Sequence, residues 1–115
     1  MRYLLLIYTT ETTMPPAPAA GRKMMTAYAE FTQDVRERGL LEGGEALQPT
    51  STATTVRVRD GERLITDGPF AEAREQLGGY YLLNCKDLDE ALECAARIPG
   101  AQYGAVEVRP IMEFA

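Results

Sequence analysis

The sequence has 115 residues and a formal net charge of −5. This length fits a single domain, residues 1–115, which buries about two-thirds of the surface that its unfolded chain would expose. An acidic chain without a dense run of lysine or arginine is not expected to bind nucleic acid, because phosphate contacts need a basic patch. The most apolar stretch, residues 3–8, is too short to span a bilayer and has no secretory signal layout, so we expect a cytoplasmic protein with no membrane partner.

The first predicted elements are a strand and a helix. Residues 2–8 are almost all apolar, which is typical of a strand covered on both faces. Residues 9–20 are rich in proline and predict an irregular loop. From about Arg22 the pattern is helical, and Gly39 is expected to end the helix. The apolar stripe of this helix favours core packing, with a pocket lining as the alternative, and consists of Met24, Met25, Tyr28, Phe31, Thr32 and Val35.

A short strand and a hairpin follow. Residues 40–47 form a β-prone segment interrupted by Gly43-Gly44, which indicates a bulge or a close approach of another backbone. The pair Asp60-Gly61 separates two β-prone runs and predicts a hairpin over residues 54–66, inserted between the second and third strands of the sheet. Alternation is expected to turn the hairpin valines, Val56 and Val58, toward the protein interior.

The most distinctive turn lies between Thr66 and Tyr81. Gly68 admits backbone angles that are closed to other residues and Pro69 fixes its own φ, so Asp67 and Phe70 are predicted to lie on a rigid corner. The following residues, 71–76, predict one helical turn that Gly78-Gly79 breaks. In the simpler interpretation the aspartate caps this turn. In the alternative, the corner holds a carboxylate and a ring for function.

The last third of the chain predicts a second helix and a final strand. Asp87 and Glu90 have the spacing of a capping box, and Pro99-Gly100 is expected to end the helix. Its buried stripe is predicted to be Leu88, Ala91, Leu92 and Ala95. Residues 105–109 alternate, which places Val106 and Val108 on one face and Glu107 and Arg109 on the other.

Six segments together resemble the DGPF type of the YCII-related family. They are LLLIY at 4–8, GGEAL at 43–47, TATTVRVRDG at 52–61, TDGPFAEAREQLGGYYLL at 66–83, DLDEAL at 87–92 and VEVRPI at 106–111. The resemblance implies a ferredoxin-like α+β domain, β-α-β-[β-hairpin insert]-β-α-β, with an antiparallel sheet. It also implies a homodimer of the dimeric α/β-barrel type, with a pocket near the interface. It implies no established reaction, and many DGPF relatives are encoded beside extracytoplasmic-function sigma factors.

The chain contains no histidine, which restricts its chemistry. Some YCII relatives are thought to use a His–Asp pair, so here a carboxylate would have to serve as general base. Asp67 and Glu45 are the leading candidates for this catalytic role. Other groups in or near the family-like segments are the carboxylates of Glu72 and Glu75 and the phenols of Tyr28, Tyr80 and Tyr81.

The cysteines and acidic residues do not predict a metal or redox site. Cys85 and Cys94 lack the C-x-x-C spacing and histidine partners of such sites, and are expected to be reduced thiols buried in the core. The acidic residues form no cluster with the spacing of a cation-binding loop. We therefore expect no metal and no cofactor.

Two functions follow from the corner and the resemblance. The first is a dimeric binding module that takes a small molecule in a pocket bordered by the corner, in a regulatory setting. Its candidate ligand-binding residues are Asp67, Gly68, Pro69, Phe70, Tyr81 and Arg109. The second is a small cofactor-independent enzyme in which Asp67 or Glu45 acts as acid or base. A structural dimer without pocket chemistry is a third possibility.

Overall fold

The computed structural model describes residues 1–11 and 18–114, which contain six strands and two helices. Two short 3₁₀ turns, Thr50–Thr52 and Pro99–Gln102, connect them. In chain order the elements are β1 Arg2–Thr9, α1 Pro18–Glu37, β2 Leu41–Ala46, β3 Thr54–Arg59, β4 Glu62–Asp67, β5 Gln76–Asn84, α2 Leu88–Arg97 and β6 Ala105–Pro110. The class is α+β, as the sequence predicted.

Four of the strands form one antiparallel sheet in the order β2-β5-β1-β6. Leu5 of β1 pairs with Tyr81 of β5 on one side and with Val108 of β6 on the other, so β1 and β5 are the central strands. Helix α1 connects β1 to β2, and α2 connects β5 to β6. The predicted hairpin is present between β2 and β5, where β3 and β4 pair only with each other as a separate two-stranded sheet.

The core lies between the two helices and one face of the sheet. On β1 the buried residues alternate as Tyr3, Leu5 and Ile7, and they form one cluster with residues of both helices. The remaining members of the cluster are Phe31, Val35, Leu83, Cys85, Ala91, Cys94, Ala95 and Ile98. Leu4 and Leu6 point to the opposite face and stay partly exposed. The helices therefore cover one face of this strand, and the prediction that both of its faces are covered is wrong in this structure.

Helix α1 begins at Pro18, four residues before the predicted start at Arg22. Proline suits the first turn of a helix, because its missing N–H would have no partner there. The predicted irregular loop over residues 9–20 lies mainly outside the described residues, since 12–17 are not among them. Gly39 ends the helix as expected, with a φ of 72° and an N–H that donates to the Arg36 carbonyl at 3.0 Å.

Helix α2 starts with the predicted cap but buries a different face. The Asp87 carboxylate accepts from the Glu90 N–H at 2.9 Å, and the Glu90 carboxylate accepts from the Lys86 N–H at 2.9 Å. Leu88 and Leu92 are each 47% exposed, so their predicted burial is wrong. The buried face consists of Ala91, Cys94 and Ala95, whose small side chains let the helix backbone lie close to the sheet.

Strand β5 includes the two glycines that were predicted to end a helical turn. It starts at Gln76 and includes Gly78-Gly79, and residues 71–75 contain no helical turn. The predicted helical turn and its end at the glycines are therefore both wrong. A bulge at Gly78 shifts the register against β1. A Cβ on Gly79 would lie 2.9 Å from the Glu45 carbonyl oxygen of β2. These glycines therefore allow close strand pairing rather than ending a turn.

The hairpin Thr54–Asp67, which we call the β3–β4 arm, has no core of its own. Asp60 and Gly61 have positive φ values of 52° and 78°, as the predicted tight turn requires. Val56 and Val58 are each 60% exposed, so their predicted burial is wrong, whereas Val106 and Val108 pack against the core as expected. The valines of the arm are exposed because neither helix covers this second sheet.

Candidate functional site

A groove of about 790 Å³ lies beneath α1, at the edge of the sheet where β2 pairs with β5. Helix α1 contacts the core through Phe31 and Val35, and its other sheet-facing side chains line the groove. The opposite wall is made by β2, by the start of β5 and by Gly100. Gly44 pairs with Tyr81, so β2 has no side chain at this point of its helix-facing side, which leaves room for the groove.

Three of the polar groups that line the groove are the hydroxyls of Tyr28, Thr32 and Tyr81, which we call the hydroxyl cluster. Tyr28 and Thr32 are four residues apart on α1 and therefore lie on the same helix face. The Thr32 and Tyr81 hydroxyl oxygens are 2.8 Å apart and form a hydrogen bond. The Tyr81 ring is held edge-on against Phe31, with centroids 5.1 Å apart. The cluster thus joins the helix to the central strand β5.

The hydroxyl of Tyr28 is positioned by a backbone group from the other end of the chain. Its oxygen accepts a hydrogen bond from the Gly100 N–H at 3.1 Å. Burial raises the pKa of the Tyr28 phenol above its ordinary value, and the nearby Tyr81 adds to this effect, while the bond from Gly100 opposes it. Tyr28 is therefore protonated at neutral pH and retains an O–H that can donate to a ligand.

Only glycine fits at position 100 with this arrangement. A Cβ there would lie 2.6 Å from the Tyr28 oxygen and 2.9 Å from a methyl carbon of Ile7. The sequence identified Pro99-Gly100 as a helix end, and the helix does end at Arg97. The role of Gly100 in admitting the phenol was missed, because it has no local sequence signal. Thr32 belongs to the α1 stripe for which a pocket lining was the alternative, but its hydrogen bond to Tyr81 was not predicted.

The predicted corner is held by two hydrogen bonds at Gly68 but lies beside the groove rather than in it. Gly68 has a φ of 105°, donates its N–H to the Ala53 carbonyl at 2.7 Å and accepts from the Thr55 hydroxyl at 2.8 Å. Phe70 is 74% exposed, with the Arg57 guanidinium 5.1 Å from its ring centre. Among the described residues, the exposed Asp67 carboxylate makes no hydrogen bond or ion pair, so the predicted cap is absent.

A second, shallower hollow of about 670 Å³ lies along the corner and is lined by Pro69 and Phe70. It shares part of its wall with the groove, namely residues 47–49 and 76–77. The corner and the groove are therefore neighbours.

The remaining candidates from the sequence lie on different parts of the sheet. Tyr81 lines the groove as part of the hydroxyl cluster. Glu45 also borders the groove, but it pairs with Tyr80 in the register, so its side chain leaves the edge strand on the opposite face. Arg109 lies on β6 at the far edge of the sheet, where it forms an ion pair with Glu107 at 2.7 Å. The structure does not bring Asp67, Glu45 and Arg109 to one place.

The two cysteines belong to the core, as predicted from their spacing. Cys85 and Cys94 are free and at most 1% exposed. Burial raises the pKa of the Cys85 thiol to about 11, with Cys94 contributing. Within residues 1–11 and 18–114 there is no group of three or more Cys, Asp or Glu side chains arranged to hold a metal ion. In the same part of the chain, neither helix combines the length and apolar character that a membrane crossing requires.

Two comparisons with known proteins gave matches over nearly the whole chain. The family model described as the YCII-related domain matches residues 1–115. An uncharacterised protein of Rhizobium meliloti (strain 1021) is 38% identical over 114 aligned positions, which cover 96% of this chain and 92% of that protein.

Proposed function

Because the chain belongs to the YCII-related family, we propose that it is a ferredoxin-like, DGPF-type homodimer that binds a small molecule in the groove beneath α1. The observation that carries the binding proposal is the hydroxyl cluster of Tyr28, Thr32 and Tyr81 inside a largely apolar groove. Ligand sites typically have volumes of about 300–1,000 Å³, apolar walls and a few polar groups that fix orientation. The groove, at about 790 Å³, has this character.

Binding is favoured over catalysis because neither candidate base is positioned for the groove. A general base must lie within hydrogen-bond reach of the proton that it removes. The Asp67 carboxylate is exposed at the corner, and the Glu45 side chain leaves β2 on the opposite face of the sheet from Tyr81. A binding module also suits the regulatory setting that the resemblance to relatives encoded beside sigma factors implies.

The homodimer is proposed to form through the sheet face that the helices do not cover. Leu4 and Leu6 of β1 lie there beside Tyr80 and Leu82 of β5, and all four are partly exposed. An apolar strip along the two central strands can pack against its own copy about a twofold axis. A stable interface of this kind buries about 800 Å² on each partner, which a four-stranded sheet face can supply.

The dimer is tested by light scattering on the wild type and two leucine variants at micromolar concentration. Leu6→Arg places a charge in the centre of the sheet face that the helices do not cover, and is expected to give a folded monomer. Leu92→Arg introduces the same charge on the exposed side of α2 and is expected to remain dimeric. A wild type with a monomer mass and an intact circular dichroism spectrum would contradict the proposal.

Binding is tested by a thermal-shift screen of the wild type against a metabolite library. A ligand at one hundred times its dissociation constant adds about 2.7 kcal/mol to the free energy of unfolding. Ala46→Trp fills the groove from an exposed position on β2, and is expected to abolish the shift. Ala96→Trp, on the exposed side of α2, is the matched control. Hits that bind both variants equally would place the ligand elsewhere.

A further inference from the structure

The α1 wall of the groove changes character along its length. Met24, Tyr28, Thr32 and Arg36 follow one another at intervals of four residues and all line the groove. Twelve residues of helix extend about 18 Å. A ligand lying along this wall would therefore meet an apolar end, two hydroxyl-bearing residues in the middle and a cation at the other end.

The hydroxyl cluster has more donors than its internal bonds consume. The Tyr28 oxygen accepts from Gly100, so its proton is not used in that bond. Thr32 and Tyr81 have two hydroxyl protons between them and share one hydrogen bond, so one proton of the pair is left for another acceptor. The middle of the groove therefore has two hydroxyl protons that can be donated to ligand acceptors.

Arg36 provides the one positive charge of the lining within the described residues. Its guanidinium donates to the neutral Gln33 side chain at 3.1 Å and forms no ion pair with a described residue. None of the three acidic residues of the lining forms an ion pair with it among the described residues. Glu11 accepts from the Thr50 N–H at 2.7 Å, Glu42 lies 3.6 Å from Arg2, and Glu45 is directed to the other sheet face.

From this arrangement we propose that the groove binds an elongated apolar carboxylate that carries an oxygen acceptor about one to two helical turns from its charged end. The inference rests on the proposed function of the groove and names its ligand class. The carboxylate is bound by Arg36, the acceptor oxygen by Tyr28 and the Thr32–Tyr81 pair, and the apolar remainder lies toward Met24. Arginine suits the carboxylate because its guanidinium can donate two parallel hydrogen bonds.

Three matched probes test the proposal by titration calorimetry at neutral pH. In 4-benzoylbenzoate the carboxylate and the ketone lie on opposite sides of one ring, about one helical turn apart. In 4-benzoylbenzamide the charge is removed, and in 4-benzylbenzoate the ketone is removed. We expect the first to bind the wild type about ten-fold more tightly than either of the others, since a charge-assisted or buried hydrogen bond is lost in each.

Groove variants assign each preference to a residue. Arg36→Gln is expected to bind the acid and the amide equally, and Tyr28→Phe is expected to reduce the preference for the ketone. Arg22→Gln, an exposed change on the same helix outside the groove lining, should retain both preferences.

The possible failures are distinguishable. Equal binding of the three probes to the wild type, or an acid preference that survives in Arg36→Gln, would overturn the ligand class. If Ala46→Trp still blocked binding in either case, the proposed function would stand. Failure of all three probes to bind also overturns the ligand class. The proposal that the groove is a ligand site is refuted only if Ala46→Trp blocks the binding of no ligand from the metabolite library.

Discussion

Replacing Gly100 with alanine is the most direct test of how the groove is built. The new Cβ would lie 2.6 Å from the Tyr28 oxygen and 2.9 Å from the Ile7 methyl carbon, both well inside van der Waals contact. Overpacking by one methyl group costs about 1–3 kcal/mol in free energy of unfolding. Displacing the phenol would also break its hydrogen bond to the Gly100 N–H, worth about 1 kcal/mol. Gly100→Ala is therefore expected to destabilise the protein by about 2–4 kcal/mol.

The same change should cost less when Tyr28 is already phenylalanine. Tyr28→Phe removes the oxygen that the new methyl group would meet, and it removes the hydrogen bond, so only the contact with Ile7 is left. We expect the cost of Gly100→Ala to fall by about 1 kcal/mol in this background, within the range measured for residues in direct contact. Urea unfolding followed by circular dichroism on all four proteins gives the coupling free energy. Additivity within about 0.3 kcal/mol would refute the contact between Tyr28 and Gly100.

Two further predictions concern single side chains. The folded-state pKa of Cys85, about 11, lies above the value of 9.0 for a free thiol. The stability that the neutral Cys85 thiol contributes is therefore fully present below pH 9 and lost between pH 9 and 11. Urea unfolding should show that the wild type loses about 2 kcal/mol more free energy of unfolding than Cys85→Ala across this window. Equal losses in the two proteins would contradict the raised pKa of Cys85. Asp67→Ala and Asp67→Asn should each change the free energy of unfolding by less than about 0.5 kcal/mol, because the carboxylate has no described partner. A loss above about 1 kcal/mol in the alanine variant alone would show instead that Asp67 caps the turn.

Local signals in the sequence were sufficient for the order and ends of most elements. Gly39 and the pair Asp60-Gly61 sit where the chain needs positive φ, and glycine or aspartate adopts it at low cost. Asp87 caps α2 because its acceptor is three residues from a free N–H. Each of these requirements involves residues that are neighbours in the chain. Together with the resemblance, they were enough to place two helices and a hairpin insert around an antiparallel sheet.

Burial and the composition of the groove depended on the tertiary structure. Alternation marks two faces of a strand but does not say which face meets a helix, so the valines of the β3–β4 arm were expected inside and are exposed. The hydroxyl cluster joins Thr32 to Tyr81 across 49 positions, and the Gly100 N–H reaches Tyr28 across 72. Such pairs form only when the helices pack on the sheet. They could not be predicted, because side-chain spacing along the chain carries no information about a partner so distant. The sequence alone therefore identified the corner at Asp67–Phe70, while the packing of α1 over a glycine-lined edge produced the groove beside it.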